Sequence, residues 1–81
     1  MGATLDRANL RNAQLQQANL SEADLTGADL SRANLQGANL SLATLVDSQM
    51  ADATLVAADL SGANLMNAKL MNANLQKGIL L

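Results

Sequence analysis

Residues 21–45 read SEADL TGADL SRANL QGANL SLATL, five blocks of five with Ala third, Asp, Asn or Thr fourth, and Leu fifth. The same frame holds in both directions. MGATL DRANL RNAQL QQANL precedes this stretch, and VDSQM ADATL VAADL SGANL MNAKL MNANL QKGIL follows it, with Leu81 left over. Of sixteen blocks, fifteen end in Leu and the other in Met50; fourteen have Ala third, Ser48 and Gly78 being the exceptions. The fourth position is Asn or Asp in nine blocks: Asn9, Asn19, Asp24, Asp29, Asn34, Asn39, Asp59, Asn64 and Asn74. The first two positions vary freely.

A period of five excludes both regular elements. At about 100° per residue, five residues of helix advance roughly 500°, so the leucines smear around the cylinder instead of forming a stripe. In a strand, an odd period sends successive leucines to opposite faces. Within a block, however, Ala and Leu are two apart and share a face of a short extended segment. From Leu to the next Ala is three, so both face inward only if the chain turns between blocks. One corner per block gives a coil lined by Ala and Leu. The fourth-position Asn or Asp suits the corner, because short polar side chains hydrogen-bond nearby backbone in turns. Glycine at the second position (Gly2, Gly27, Gly37, Gly62) fits tight backbone there.

The uninterrupted Ala-Asp/Asn-Leu-x-x pattern resembles the pentapeptide-repeat family over essentially the whole chain. The resemblance implies an all-β fold, a right-handed quadrilateral β-helix in which four pentads make a coil of twenty residues. Sixteen blocks then make about four coils in a single solenoid domain spanning residues 1–81. Coils stacked at about 4.8 Å place each residue on its neighbour twenty away. Two blocks depart from the pattern. VDSQM turns Ser48 and Met50 inward, with Ser replacing Ala by bonding to backbone and Met filling an irregular gap. QKGIL, with Gly78 and Ile79, reads as repeat decay near an end.

Composition excludes several functions. Apolar residues are 49% of the 81, aromatics 0%, and Pro, Cys and His are absent; seven acids against five bases leave a net charge of −2. Without Cys or His there is no thiolate metal site, no cysteine nucleophile and no imidazole base. The five serines have no base beside them, Lys69 and Lys77 being placed on the outside, and no glycine-rich phosphate loop occurs. The expectation is a non-enzyme with no cofactor, no metal and no small-molecule substrate. A mildly acidic chain without aromatic rings does not fit nucleic acid, and no apolar run approaches a membrane span. A cytoplasmic location is the default, with the thylakoid lumen or periplasm the alternative for a chain whose signal has been removed.

Function is therefore sought on the outward positions. Columns spaced by twenty place Val46 beside Met66 and Ala51 beside Met71, and stacked Ser and Gln columns suggest hydrogen-bonded ladders. A protein-contact patch is expected among Leu42, Val46, Val56, Met66, Met71, Ile79 and Leu81. The chain starts and stops in register, so an end-to-end or face-to-face homo-oligomer, a segment of a larger protein and a partner covering the ends are all open. The reading is a rod-like structural or protein-interaction module that self-associates or binds a protein. The alternative, from members thought to imitate duplex DNA and bind gyrase, needs a markedly acidic surface that this charge balance lacks.

Overall fold

The structure is a computed structural model and describes residues 2–78. Ile79 and Leu81 of the expected patch lie outside the described residues. Every β-bridge is parallel and joins residue i to i+20, from Thr4 with Asp24 to Thr54 with Asn74. One coil therefore takes four pentads. We number the coils 1 (2–20), 2 (21–40), 3 (41–60) and 4 (61–78).

The backbone bonds follow from the five-residue unit. The fifth-position N–H donates to the fourth-position carbonyl of the next coil, as Leu25 does to Thr44 at 2.7 Å. The fourth-position N–H donates back to the preceding coil, as Thr44 does to Ala23 at 2.9 Å. The second-position N–H also reaches the next coil, as Arg32 does to Ala51 at 2.9 Å. Each corner closes on itself, the Ala N–H donating to the carbonyl of the Leu three residues earlier, as Ala28 does to Leu25 at 3.0 Å.

That corner is a type II-like turn, which requires positive φ at its third residue. All fifteen second-position residues from Arg7 to Lys77 adopt it: twelve are not glycine, with φ between 58° and 61°, and Gly27, Gly37 and Gly62 lie at 67–68°. The left-handed conformation disfavours a Cβ, yet interlocked bonds on both sides hold Arg, Leu, Asp and Ala in it.

The interior is as the period requires. The third-position alanines and fifth-position leucines of coils 2 and 3, with Met50, are almost wholly excluded from solvent. Those of coils 1 and 4, such as Leu10, Leu15, Leu65 and Leu70, are partly buried against them. Each fully buried Leu contributes about 1.5–3 kcal/mol, so the middle coils carry most of the stability. Two expectations need correction. Ser48 is 0% exposed, but its hydroxyl has no hydrogen-bond partner; the backbone groups nearby are already engaged, Ser48 N–H with Leu45 and Ser48 C=O with Lys69. Nor is the molecule a rod. Its extents are 25 × 22 × 21 Å, because four coils stacked at about 4.8 Å rise no further than one coil is wide.

Candidate functional site

With the interior given over to Ala and Leu, chemistry is left to the corners. All nine fourth-position Asn and Asp side chains accept the backbone N–H of the first residue of the next pentad, at 2.9–3.3 Å. Where that next residue is Ser or Thr, its hydroxyl donates to the same oxygen: Ser21 to Asn19, Thr26 to Asp24, Ser31 to Asp29, Ser41 to Asn39 and Ser61 to Asp59, at 2.6–2.8 Å. The stacked serines thus bond within their own turn and form no ladder along the column. Gln16 likewise bonds Gln14 at 2.8 Å instead of Gln36.

These hydrogen bonds lower the pKa of Asp24, Asp29 and Asp59 below the ordinary carboxylate value. The largest cause is the hydroxyl of Thr26, Ser31 or Ser61 respectively, with the same residue's backbone N–H second. A carboxylate so held is a weaker base, the opposite of what activates a serine nucleophile. The same geometry recurs with Asn19 and Asn39, which cannot act as bases. The serine–carboxylate pairs are therefore turn structure. Among the described residues, no group of three or more acidic side chains is placed to hold a metal ion.

The patch residues separate by turn. Leu42, Met66 and Met71 are exposed, at 61%, 61% and 73%. Val46 and Val56 are half-buried. The register stacks Val46 on Met66, while Met71, on the next turn, lies one coil from Ala51. Leu42 belongs to a different turn, where its side chain leans over Gly62; a Cβ added there would meet Leu42 Cδ2 at 2.8 Å. Val56 occupies the fourth turn of coil 3, one turn on from the column of Met71. An open cleft of about 520 Å³ lies beside Met66, lined by Asp47, Gln49, Asn67, Ala68 and Lys69. Only the pairing of columns marked this cleft's neighbourhood in the sequence; its polar lining went unnoticed because each of these residues, taken singly, is an ordinary outward side chain.

Parallel coils of twenty residues with one turn every five define a β-helical solenoid. The chain belongs to the pentapeptide-repeat family, whose profile of eight repeat copies matches residues 8–47 and 48–80. It is similar to the crystal structure of alr5209, a pentapeptide repeat protein from Nostoc PCC 7120, at 45% identity and a TM-score of 0.93, covering 95% of this chain and 64% of that one. AT2G44920, a pentapeptide repeat protein from the Arabidopsis thaliana thylakoid lumen, is 34% identical with a TM-score of 0.89, covering 93% of this chain and 52% of that one. Rfr23 from Cyanothece 51142 is 35% identical with a TM-score of 0.58, covering 94% and 63% respectively. The chain thus spans between half and two thirds of the length of these structures. No match was found among curated proteins.

Proposed function

We propose that this chain is a non-enzymatic interaction module, wound as a right-handed β-helix of quadrilateral section, that pairs with a second copy of itself. The four turns in each twenty-residue coil support the quadrilateral section, and the right-handed winding follows the family resemblance. The observation that carries the pairing is the concentration of exposed apolar side chains on coil 4, where Met66 and Met71 stand on successive turns. Charge divides along the same boundary. Coil 3 carries Asp47, Asp52 and Asp59 and no base, whereas residues 61–78 carry Lys69 and Lys77 and no acid.

A two-fold axis between coils 3 and 4 sets coil 4 of each copy against coil 3 of the other. Apolar turns then meet apolar turns, and lysines approach carboxylates, a self-complementary arrangement. The largest side of a 25 × 22 Å block offers on the order of 550 Å², less than the ~800 Å² per partner of a standard interface. The dimer is consequently weak and appears only as concentration rises. Sedimentation velocity over a concentration series tests it. Wild type shifts toward dimer, and Met66→Asp/Met71→Asp stays monomeric with an unchanged far-UV spectrum. A wild-type chain that stays monomeric at millimolar concentration refutes the pairing.

A further inference from the structure

We propose that Met66 and Met71 are a paired oxidation site, and that a hydroperoxide, by converting them to sulfoxides, turns off the contact surface of coil 4. The two residues have the same setting. Each is the first residue of a pentad, each begins a Met-Asn-Ala triplet, and the following residue, Asn67 or Asn72, has φ near 60°. Their side chains are 61% and 73% exposed, while Met50 is 0% exposed within the leucine interior. Among the described residues there are therefore two accessible thioethers and one protected internal reference.

The chemistry requires only hydrogen peroxide as the simplest hydroperoxide. The thioether sulfur attacks the peroxide, an S–O bond forms and the O–O bond breaks. Sulfur gives up two electrons, and the departing hydroxide takes a proton to leave as water. One oxygen atom is added per methionine. The product is a polar hydrogen-bond acceptor in place of a flexible apolar side chain.

The coil tolerates this change because its bonds use the methionine backbone and not the sulfur. Met66 C=O accepts from Asp47 N–H at 2.9 Å and Met71 C=O from Asp52 N–H at 2.9 Å. Met66 N–H is held by Asn64 Oδ1 at 3.0 Å. Oxidation thus alters the outer surface and leaves the solenoid intact. At Met50 the sulfoxide oxygen has no room among buried leucines, so that sulfur reacts only when the coils open.

The assignment of the site stands on exposure alone; its effect on pairing rests on the self-association proposed above. Peroxide is titrated onto the folded chain, sulfoxides are located by peptide mapping, and the same samples are sedimented. Met66 and Met71 are expected to oxidise at similar rates, with Met50 slower by at least about 100-fold until denaturant is added. Comparable oxidation of Met50 in the folded chain, or protection of Met66 and Met71, overturns the site. The oxidised chain is expected to lose its dimer and to recover it after thiol-dependent enzymatic reduction of the sulfoxides. Whatever dimer Met66→Leu/Met71→Leu forms, peroxide should leave its amount unchanged. Dimer persisting with both sulfoxides formed overturns the switch while leaving the site standing. An unoxidised chain that never pairs removes the contact surface and the switch together, and the peptide map still decides the site.

Discussion

Replacing Ser48 by alanine should stabilise the protein. Its hydroxyl is wholly buried and unpartnered. An unsatisfied buried hydroxyl costs about 1–3 kcal/mol. Alanine removes that penalty and restores the side chain found at fourteen of the sixteen third positions. Against this stands the loss of a few dispersion contacts made by one oxygen, each about 0.1–0.2 kcal/mol. The net expectation is a gain of about 1–2 kcal/mol. In urea, with a slope near 1 kcal/mol/M for a chain this small, the midpoint should rise by about 1 M or more. In a thermal melt the same change corresponds to roughly 4–8 °C per kcal/mol.

Far-UV circular dichroism is the appropriate probe, since the chain has no aromatic residue to fluoresce. The reciprocal variant Ala33→Ser introduces the same group where the native alanine is 1% exposed, and it should lower the midpoint by a similar amount. A midpoint that stays put or falls in Ser48→Ala means that the Ser48 hydroxyl is hydrogen-bonded in solution, and the argument fails.

Two further tests address the corners. Ala57 sits at φ 60° with a Cβ that glycine lacks, so Ala57→Gly should gain about 0.5–1 kcal/mol. Gly62→Ala, at φ +67° and with Leu42 Cδ2 at 2.8 Å from the new Cβ, should lose at least as much; equal urea midpoints for both variants contradict the account of the turn. Asp24, Asp29 and Asp59 have folded pKa values lowered by their Thr26, Ser31 and Ser61 partners. Their contribution is thus present above the ordinary carboxylate value and lost as pH falls through the lowered ones. Asn at all three positions keeps an acceptor for each N–H and hydroxyl but no charge, so the triple variant should be less stable than wild type near neutrality and lose less stability below about pH 4, where the two converge. Parallel acid profiles would contradict this.

What the sequence made legible is what repetition encodes. Ala and Leu two apart, with a corner before the next pair, imply an inward-facing coil, and the structure buries Leu25, Leu30, Leu35 and Leu40 in that way. The fourth-position Asn and Asp announce their own turn bonds. The left-handed second position was not legible from composition, because Arg7, Leu42, Asp47 and Ala57 occupy it as readily as Gly27. There the stacked backbone imposes a conformation that local preference opposes. The orphaned Ser48 hydroxyl escaped for a related reason: size alone predicts that Ser replaces Ala, whereas its partners depend on backbone groups already committed elsewhere. Column arithmetic placed Val46 with Met66, but only coordinates separate the exposed methionine from the half-buried valine.

The apolar corners share a feature that exposure alone does not reveal. Val46, Ala51, Val56 and Met71 follow Thr44, Gln49, Thr54 and Lys69, fourth-position residues that are neither Asn nor Asp. Met66, after Asn64, is the exception and keeps its backbone bond at 3.0 Å. Polar corners are made differently: Asp24 with Thr26, Asp29 with Ser31 and Asn39 with Ser41 each gain two hydrogen bonds to one oxygen. Every such bond contributes about 0.5–1.5 kcal/mol, and the same backbone would accept it at coils 3 and 4. At four corners the chain lacks both the Asx acceptor and the hydroxyl donor, replacing them with apolar surface of no use to the interior. Scattered drift would mix capped and uncapped corners with apolar and polar residues independently. Asp6 and Gln16, after Thr4 and Gln14, are uncapped and polar, so it is the clustering of the uncapped apolar corners over residues 44–71 that accords with the contact surface proposed above.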